Sequence, residues 1–163
     1  KKSYNNPVTI KIEQYTAVLN IKIISDSKTQ IFVLNQIGYA ILENSEQKNL
    51  PTLILKTQKP VESKTSLLID NEKLKIIAEA FQKFAQIFGM KIVEGEWRKK
   101  ERELHLKTEK NFSILLDLTQ NVENQLLKLR RALVKLDIYN TPLEYIDLRI
   151  AGGENEKVIY KKK

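Results

Sequence analysis

Hydrophobic and polar residues alternate along much of this chain, and a period of two is typical of β-strands with one buried face. Turn residues separate the alternating stretches. Between residues 35 and 38, for example, Gly38 can take a positive φ in a tight hairpin. The strands predicted in this way span residues 8–12, 17–24, 29–35, 39–42, 52–55, 91–97, 101–107, 112–118, 143–150 and 157–160.

Two stretches instead repeat apolar residues every three or four positions, which is the spacing of a helix with one buried face. The first helix has Asp70 or Asn71 as its N-cap and Gly89 at its end. The second spans residues 122–136 after the N-cap Asn121. The apolar stripes are Leu74, Ile77, Phe81, Phe84 and Phe88 in the first helix and Val122, Leu126, Leu129, Leu133 and Leu136 in the second.

The order of these elements predicts the fold class. Four or five strands are followed by a helix, three strands, a second helix and two strands, and most links are short. We therefore predict an α+β fold with a mostly antiparallel sheet, two amphipathic helices packed on one face and a C-terminal edge hairpin. The 163 residues correspond to one domain of ordinary size or to one domain plus a fragment.

Composition excludes several classes of protein. The chain has no cysteine and one histidine, which rules out disulfide scaffolds, thiolate metal sites, cysteine nucleophiles and His-rich metal centres. No run approaches the roughly 18 apolar residues of a membrane span, and there is no signal peptide. The first residue is Lys1 rather than Met, so we expect the chain to be a fragment whose targeting segment lies upstream.

The formal net charge of +8 invites a nucleic-acid interpretation. Of the 28 basic residues, however, 23 are Lys and 5 are Arg, whereas bidentate recognition of bases and phosphates favours Arg. The lysines are spread among acidic residues, and the densest basic block, residues 98–100, lies in a predicted hairpin turn. We therefore expect no nucleic-acid partner, and keep a basic nucleic-acid-binding domain acting through dispersed Lys and Arg as the alternative.

His105 is the one imidazole available for acid–base chemistry. It shares the polar face of its strand with Glu103 and Lys107, which favours a solvated surface histidine. No Gly-x-Ser-x-Gly elbow and no glycine-rich phosphate loop occurs in the sequence. We therefore predict a non-enzymatic protein without a catalytic residue, metal or cofactor. A small hydrolase would require His105 to lie in a cleft beside a carboxylate.

The C-terminal strands offer binding rather than catalysis. Asp147 and Arg149 lie on one face of their predicted strand, about 7 Å apart, where they can pair with each other or with a partner. After Gly152 and Gly153 the chain is predicted to return as a terminal edge strand, residues 157–160. Such an edge presents unpaired N–H and C=O groups to another chain, although its lysines are equally compatible with protection against pairing.

Several short motifs occur in a consistent order. Residues 31–38 contain a Val-Leu-Asn…Gly hairpin, and residues 49–51 an Asn-Leu-Pro stop. A strand at 112–116 and a Leu-rich helix at 122–136 precede an Ile-Asp-Leu-Arg strand, a glycine turn and a last strand. In this order the motifs resemble the extracytoplasmic β domain of the FtsQ/DivIB family of bacterial cell-division proteins.

The N-terminus extends this resemblance. Residues 6–13, Asn-Pro-Val-Thr-Ile-Lys-Ile-Glu, resemble the exit strand of the POTRA domain that precedes the β domain in the family. Glu13 matches the family pattern, whereas Gln14 and Thr16 replace its Arg and Pro. The resemblance thus divides the chain into residues 1–15, similar to the last POTRA strand, and residues 16–163, similar to the β domain.

The resemblance implies a function as well as a fold. It implies a non-enzymatic divisome scaffold, anchored in the cell membrane by a single upstream span absent from this chain. The domain would then lie on the extracytoplasmic side, periplasmic or outer. There it would bind small coiled-coil division proteins similar to FtsB/DivIC and FtsL, partly by strand addition at its last strand.

The resemblance also implies where a partner would bind. The Arg of the Asp-Leu-Arg motif, here Arg149, would pair with an acidic side chain of the partner. The next position, often Tyr in the family, is Ile150 in this chain. The implied partner-binding residues are Arg149, Ile150, Gly152, Gly153, Val158, Ile159 and Tyr160.

Overall fold

The computed structural model describes residues 14–61, 67–150 and 157–163. The predicted strand 8–12 and the Gly152-Gly153 turn lie outside the described residues. Nine strands and two helices occur within the described ranges. In chain order they are β1 (Ala17–Ile24), β2 (Thr29–Asn35), β3 (Ala40–Glu43), β4 (Thr52–Lys56), α1 (Asn71–Phe88), β5 (Ile92–Arg98), β6 (Glu103–Thr108), β7 (Ser113–Asp117), α2 (Val122–Ala132), β8 (Leu143–Asp147) and β9 (Ile159–Lys162).

All nine strands belong to one sheet, in the order β3-β2-β1-β4-β5-β6-β7-β8-β9. The predicted α+β class is confirmed. The sheet is mixed, however, because β1–β4, β4–β5 and β7–β8 are parallel pairs, while the other five neighbouring pairs are antiparallel. The prediction of a mostly antiparallel sheet did not include these parallel pairs, because it took the helices only as elements that cover one face of the sheet. Each helix is in fact a crossover that carries the chain back to start a parallel strand.

Topology explains why both helices lie on the same face of the sheet. β4, β5, β7 and β8 all run in the same direction, and both crossovers advance in the same direction along the sheet. Right-handed crossovers, which nearly all βαβ units adopt, then place both helices on one face. The two helices contact each other, and Lys83 of α1 bridges Glu79 of α1 and Glu123 of α2.

The core lies between this helical layer and the sheet. α1 contributes Phe81, Phe84 and Phe88, all of them buried as their spacing predicts. The backbone of β5 approaches α1 closely at Gly95, where an added Cβ would lie 2.7 Å from the ring of Phe81. A single hydrophobic cluster runs from β1 and β2 to β8, so one core supports the whole sheet.

Local sequence signals set both ends of α1. Asp70 is the N-cap, and its side chain accepts a hydrogen bond from the backbone N–H of Lys73 at 2.8 Å. Gly89 ends the helix with φ 62°, a left-handed conformation that favours glycine. The N-cap of α2 is Asn121, which accepts from the backbone N–H of Asn124 at 2.9 Å. These predicted caps are confirmed.

The predicted bounds of three elements near the C-terminus are wrong. α2 ends at Ala132 instead of 136, because the next N–H, that of Leu133, bonds to Arg130 three residues back and tightens the chain into turns. β8 ends at Asp147 instead of 150, where its pairing with β9 stops. β9 begins at Ile159, two residues later than predicted, and ends at Lys162.

Candidate functional site

β9 is an edge strand. It pairs with β8 on one side, with Ile146 opposite Tyr160 and Asp147 opposite Ile159. Its other side has no strand partner among residues 14–61, 67–150 and 157–163. Ile159 and Tyr160 are 45% and 43% exposed, a large fraction for apolar side chains. The strand therefore offers backbone hydrogen-bonding groups together with apolar side chains on both of its faces.

A groove runs between β9 and the end of α2, on the helical side of the sheet. Its volume is about 460 Å³, and Val158 and Tyr160 form one wall while Val134 and Leu136 form another. Lys135 lines its rim. Lys128 and Arg131 line it as well, so the groove combines apolar with basic side chains.

Arg149 lies just beyond the end of β8, on the face of the sheet opposite the helices, which we call the open face. Its Nε and Nη2 donate to the two carboxylate oxygens of Asp147 at 2.9 and 2.6 Å, and its Nη1 donates to Glu103. Of the two alternatives left open for the Asp147–Arg149 pair, the structure shows internal pairing. Five guanidinium N–H groups are available in an arginine, and these bonds use three of them.

These contacts lower the pKa of the two carboxyl groups and raise the pKa of Arg149. The hydrogen bond from Arg149 lowers the pKa of Asp147, although burial acts to raise it. Burial likewise acts to raise the pKa of Glu103, but its hydrogen bonds with His105 and Arg149 outweigh burial and hold the pKa below its usual value. Pairing with Asp147 raises the pKa of Arg149. Asp147, Glu103 and Arg149 are therefore all ionised at neutral pH.

His105 differs from its prediction as a solvated surface residue. Its Nε2 lies 2.8 Å from Oε2 of Glu103, and its side chain is only 15% exposed. Neighbouring strands place Glu96 on one side of it and Leu115 on the other. The carboxylate that a hydrolase would need beside His105 is thus present, and the absence of catalysis stays a prediction.

The structure reveals two buried polar residues of α2 that sequence reasoning missed, Gln125 and Lys128. The amide of Gln125 accepts from the backbone N–H of Asp117 at 2.9 Å and donates to its carbonyl at 2.8 Å. Lys128, which is 5% exposed, donates through Nζ to the carbonyls of Leu148 and Ile150 at 2.8 and 2.6 Å. The available signal was their spacing of three, directly beside the apolar stripe.

Of the other implied partner-binding residues, Ile150 is exposed and Val158 is partly buried against the core. Ile159 and Tyr160 lie on the edge strand, so the structure brings these four to the same end of the sheet as Arg149. Gly152 and Gly153 lie outside the described residues.

The basic residues are distributed over several elements and many are paired with acids. Lys56 and Arg98 both contact Glu96, at 3.0 and 3.4 Å. On β9, Lys161 lies 2.7 Å from Glu144. The nucleic-acid alternative stays a prediction, and its test is a duplex-DNA titration at increasing salt, where phosphate binding would weaken steeply.

The described part of the chain contains neither a helix suited to span a membrane nor a cluster of metal ligands. Neither α1 nor α2 has the length and apolar character needed to cross a membrane. No three His, Asp or Glu residues converge there in a way that would hold a metal ion.

Neither the protein-family models nor the curated proteins give a match to the chain.

Proposed function

We propose that the chain is a protein-binding module, the extracytoplasmic β domain of an FtsQ/DivIB-like divisome scaffold. It recruits FtsB/DivIC-like and FtsL-like division proteins and performs no catalysis. The sequence resemblance supports the family, and one structural observation carries the mechanism: β9 lies at the edge of the sheet with its outer side unpaired among the described residues. A partner segment adds to that side as a further strand.

The other sheet edge, β3, is less suited to this role. The chain just before β3 is already engaged, since Tyr39 forms a β-bridge with Leu67 and the N–H of Leu68 donates to Gly38. β9 has no such cover in the described parts of the chain, and it also adjoins the groove at the end of α2. Strand addition is therefore assigned to the β9 edge.

Arg149 contributes charge to the same site. Asp147 and Glu103 hold its guanidinium in place and occupy three of its N–H groups. Within the described residues this leaves two N–H groups for an acidic side chain of the partner. Its side chain is 33% exposed, which allows a partner to reach it.

Localisation follows from the same proposal. The full-length protein is anchored in the cell membrane by a single span upstream of this chain, and this domain lies on the extracytoplasmic side. Basic residues at the chain's end, Lys161 to Lys163, suit an environment of acidic partners or anionic lipid headgroups.

The test is a binding titration with the extracytoplasmic segments of the organism's FtsB/DivIC-like and FtsL-like proteins. Arg149→Glu should weaken binding by about tenfold or more, because a charge-paired contact becomes a repulsive one. Arg130→Glu is the matched control, since Arg130 is exposed on α2. Circular dichroism checks that both variants are folded; unchanged affinity in folded Arg149→Glu protein would remove the role of Arg149.

Strand addition has a separate test. A partner peptide methylated at alternate backbone nitrogens cannot donate ladder hydrogen bonds, so it should lose most of its affinity. The same peptide methylated only outside the binding segment is the control. Equal binding of both peptides would overturn strand addition, and no binding of any partner segment to the wild-type domain would overturn the proposed function.

A further inference from the structure

We propose that Lys128, assisted by Gln120, is a positioning residue for the partner-binding edge. It holds the backbone that follows β8 so that Arg149 and Ile150 stand beside β9 in the orientation a partner needs. This inference rests on the proposed function for its binding consequence, whereas its structural consequence is tested independently.

Three successive carbonyls beyond β8 are each bound by a side chain from α2 or from the loop before it. Lys128 Nζ donates to the carbonyls of Leu148 and Ile150 at 2.8 and 2.6 Å. Gln120 Nε2 donates to the carbonyl between them, that of Arg149, at 2.7 Å. Every backbone carbonyl of this segment is thus fixed from the helical layer.

The strand ladder cannot supply this support. Pairing between β8 and β9 ends at Asp147 and Ile159, so the following residues have no partner strand on that side in the described part of the chain. On the other side, the N–H of Leu148 donates to the carbonyl of Leu115 at 3.0 Å. Side-chain hydrogen bonds to the three carbonyls of residues 148–150 therefore take the place of the ladder on that side.

A lysine is an unexpected choice at a buried position if packing is its whole purpose. Burying an ammonium group is costly unless it is well hydrogen-bonded, and an apolar residue of similar length would fill the same space without that cost. The cost is understandable if the ammonium fixes the backbone, because its donors reach two carbonyls at once. The contribution of Lys128 is then to hold the backbone of residues 148–150 in place, rather than to fill space in the core.

The segment held in this way determines the orientation of Arg149. Its carbonyl is bound by Gln120, and its N–H donates to Asp147 at 3.0 Å. With both backbone groups fixed, the side chain reaches Asp147 and Glu103 on the open face. Without the hydrogen bonds from Lys128 and Gln120 to these carbonyls, the guanidinium of Arg149 would lose its defined position next to β9.

The experiment compares Lys128→Met, which keeps the length of the side chain and removes the ammonium, with Arg130→Met. Arg130 is exposed on the same helix, so the control loses the same charge. Gln120→Leu removes the hydrogen bond to the carbonyl of Arg149, together with the one from Nε2 to the carboxylate of Asp117 at 2.9 Å, and serves if Lys128→Met does not fold. Affinity for the FtsB/DivIC-like segment is measured for each folded variant, alone and combined with Arg149→Lys.

Lys128→Met should weaken binding by about tenfold and Gln120→Leu by about threefold. We expect these effects because both residues share one hydrogen-bond network with Arg149, and residues in one network are energetically coupled. Arg130→Met should bind like the wild type. Arg149→Lys should lower the affinity of the otherwise wild-type protein. In the Lys128→Met background it should change the affinity little, because the side chain at position 149 is then no longer held in its binding orientation. If Lys128 merely supports the fold, affinity stays unchanged in folded protein and Arg149→Lys keeps its full effect; either result overturns the proposal.

Hydrogen exchange separates this inference from the proposed function. Lys128→Met should accelerate exchange of the amides of Arg149, Ile150 and Tyr160 by about tenfold while those of β1 stay as in the wild type. If the wild-type protein binds no division protein, the proposed function fails. The amide exchange rates then test by themselves whether Lys128 positions the backbone beyond β8. Unchanged or uniformly faster exchange would overturn it.

Discussion

The two strand–helix–strand crossovers share one topology but fasten their helices in different ways. β4–α1–β5 is joined by apolar packing, with three phenylalanines of α1 against the sheet and Gly95 allowing close approach. β7–α2–β8 adds two buried polar side chains, Gln125 and Lys128, which bind backbone groups at the ends of β7 and β8. Apolar contacts are non-directional, whereas hydrogen bonds fix positions.

This difference has a functional meaning. The first crossover lies in the middle of the sheet, where neighbouring strands on both sides fix every position. The second lies next to the edge strand, where fewer neighbours do so. Directional polar contacts therefore occur where fewer neighbouring strands fix the chain, which is also the end of the sheet where we propose that a partner binds.

The largest expected effect is on the apolar crossover. Phe84→Ala should destabilise the whole domain by about 3–5 kcal/mol, because Phe84 is fully buried and its removal leaves a cavity. Denaturant unfolding followed by circular dichroism measures the change. Val93→Ala is the control, since Val93 is exposed; a loss below about 1 kcal/mol for Phe84→Ala would contradict the central role of α1 packing.

The polar crossover should show a smaller and more local effect. Gln125→Met leaves the N–H and the carbonyl of Asp117 without their side-chain partner, which costs about 1–3 kcal/mol. Hydrogen exchange should accelerate first at the end of β7. Asn124→Met, on the exposed side of α2, is the matched control, and an equal response of both variants would show that the buried amide has no special role.

The two helix caps provide a test in which the crossovers should behave alike. Asp70→Ala and Asn121→Ala each remove a side chain that accepts a backbone N–H in the first turn, at a cost of about 1 kcal/mol. Unfolding midpoints of the two variants measure the loss. A clear difference between them would show that the start of one helix is held by more than its cap.

The smallest expected effect concerns acid stability at the β8 end. Asp147 and Glu103 have a lowered pKa in the folded state, so their contribution is complete above about pH 5 and is lost as the pH falls through the folded-state pKa. Arg149→Met removes a main cause of both shifts. The variant should therefore lose less stability between about pH 5 and pH 3 than the wild type does.

Urea midpoints at the two pH values measure this difference, and Arg130→Met is again the control because Arg130 is exposed. An identical acid dependence of Arg149→Met and the wild type would contradict the pairing of Arg149 with the two carboxylates.

Much of the fold could be predicted from the sequence because it depends on local periodicity. The stripe of α1, the caps Asp70 and Asn121, and the β2–β3 turn at Gly38, where φ is 91°, all follow from residues close together in the chain. The parallel pairs could not be predicted in this way, since they depend on which strands become neighbours in the sheet.

The candidate site divides in the same manner. Asp147 and Arg149 could be predicted to share a face, because they are two residues apart on one predicted strand. The contact of Arg149 with Glu103 could not, because those residues are 46 positions apart. Nor could the row that places Glu96, His105, Leu115 and Asp147 side by side on four neighbouring strands.

By itself, the sequence determined the α+β class, the two amphipathic helices and the absence of cysteine chemistry, since periodicity and composition are properties of the chain. Only the tertiary structure decided which strands pair in parallel, that Arg149 is bound by two carboxylates, and that Lys128 donates to carbonyls beyond β8. Strand order and register bring together residues that are distant in sequence, and the hydrogen bonds of the site exist only after that assembly.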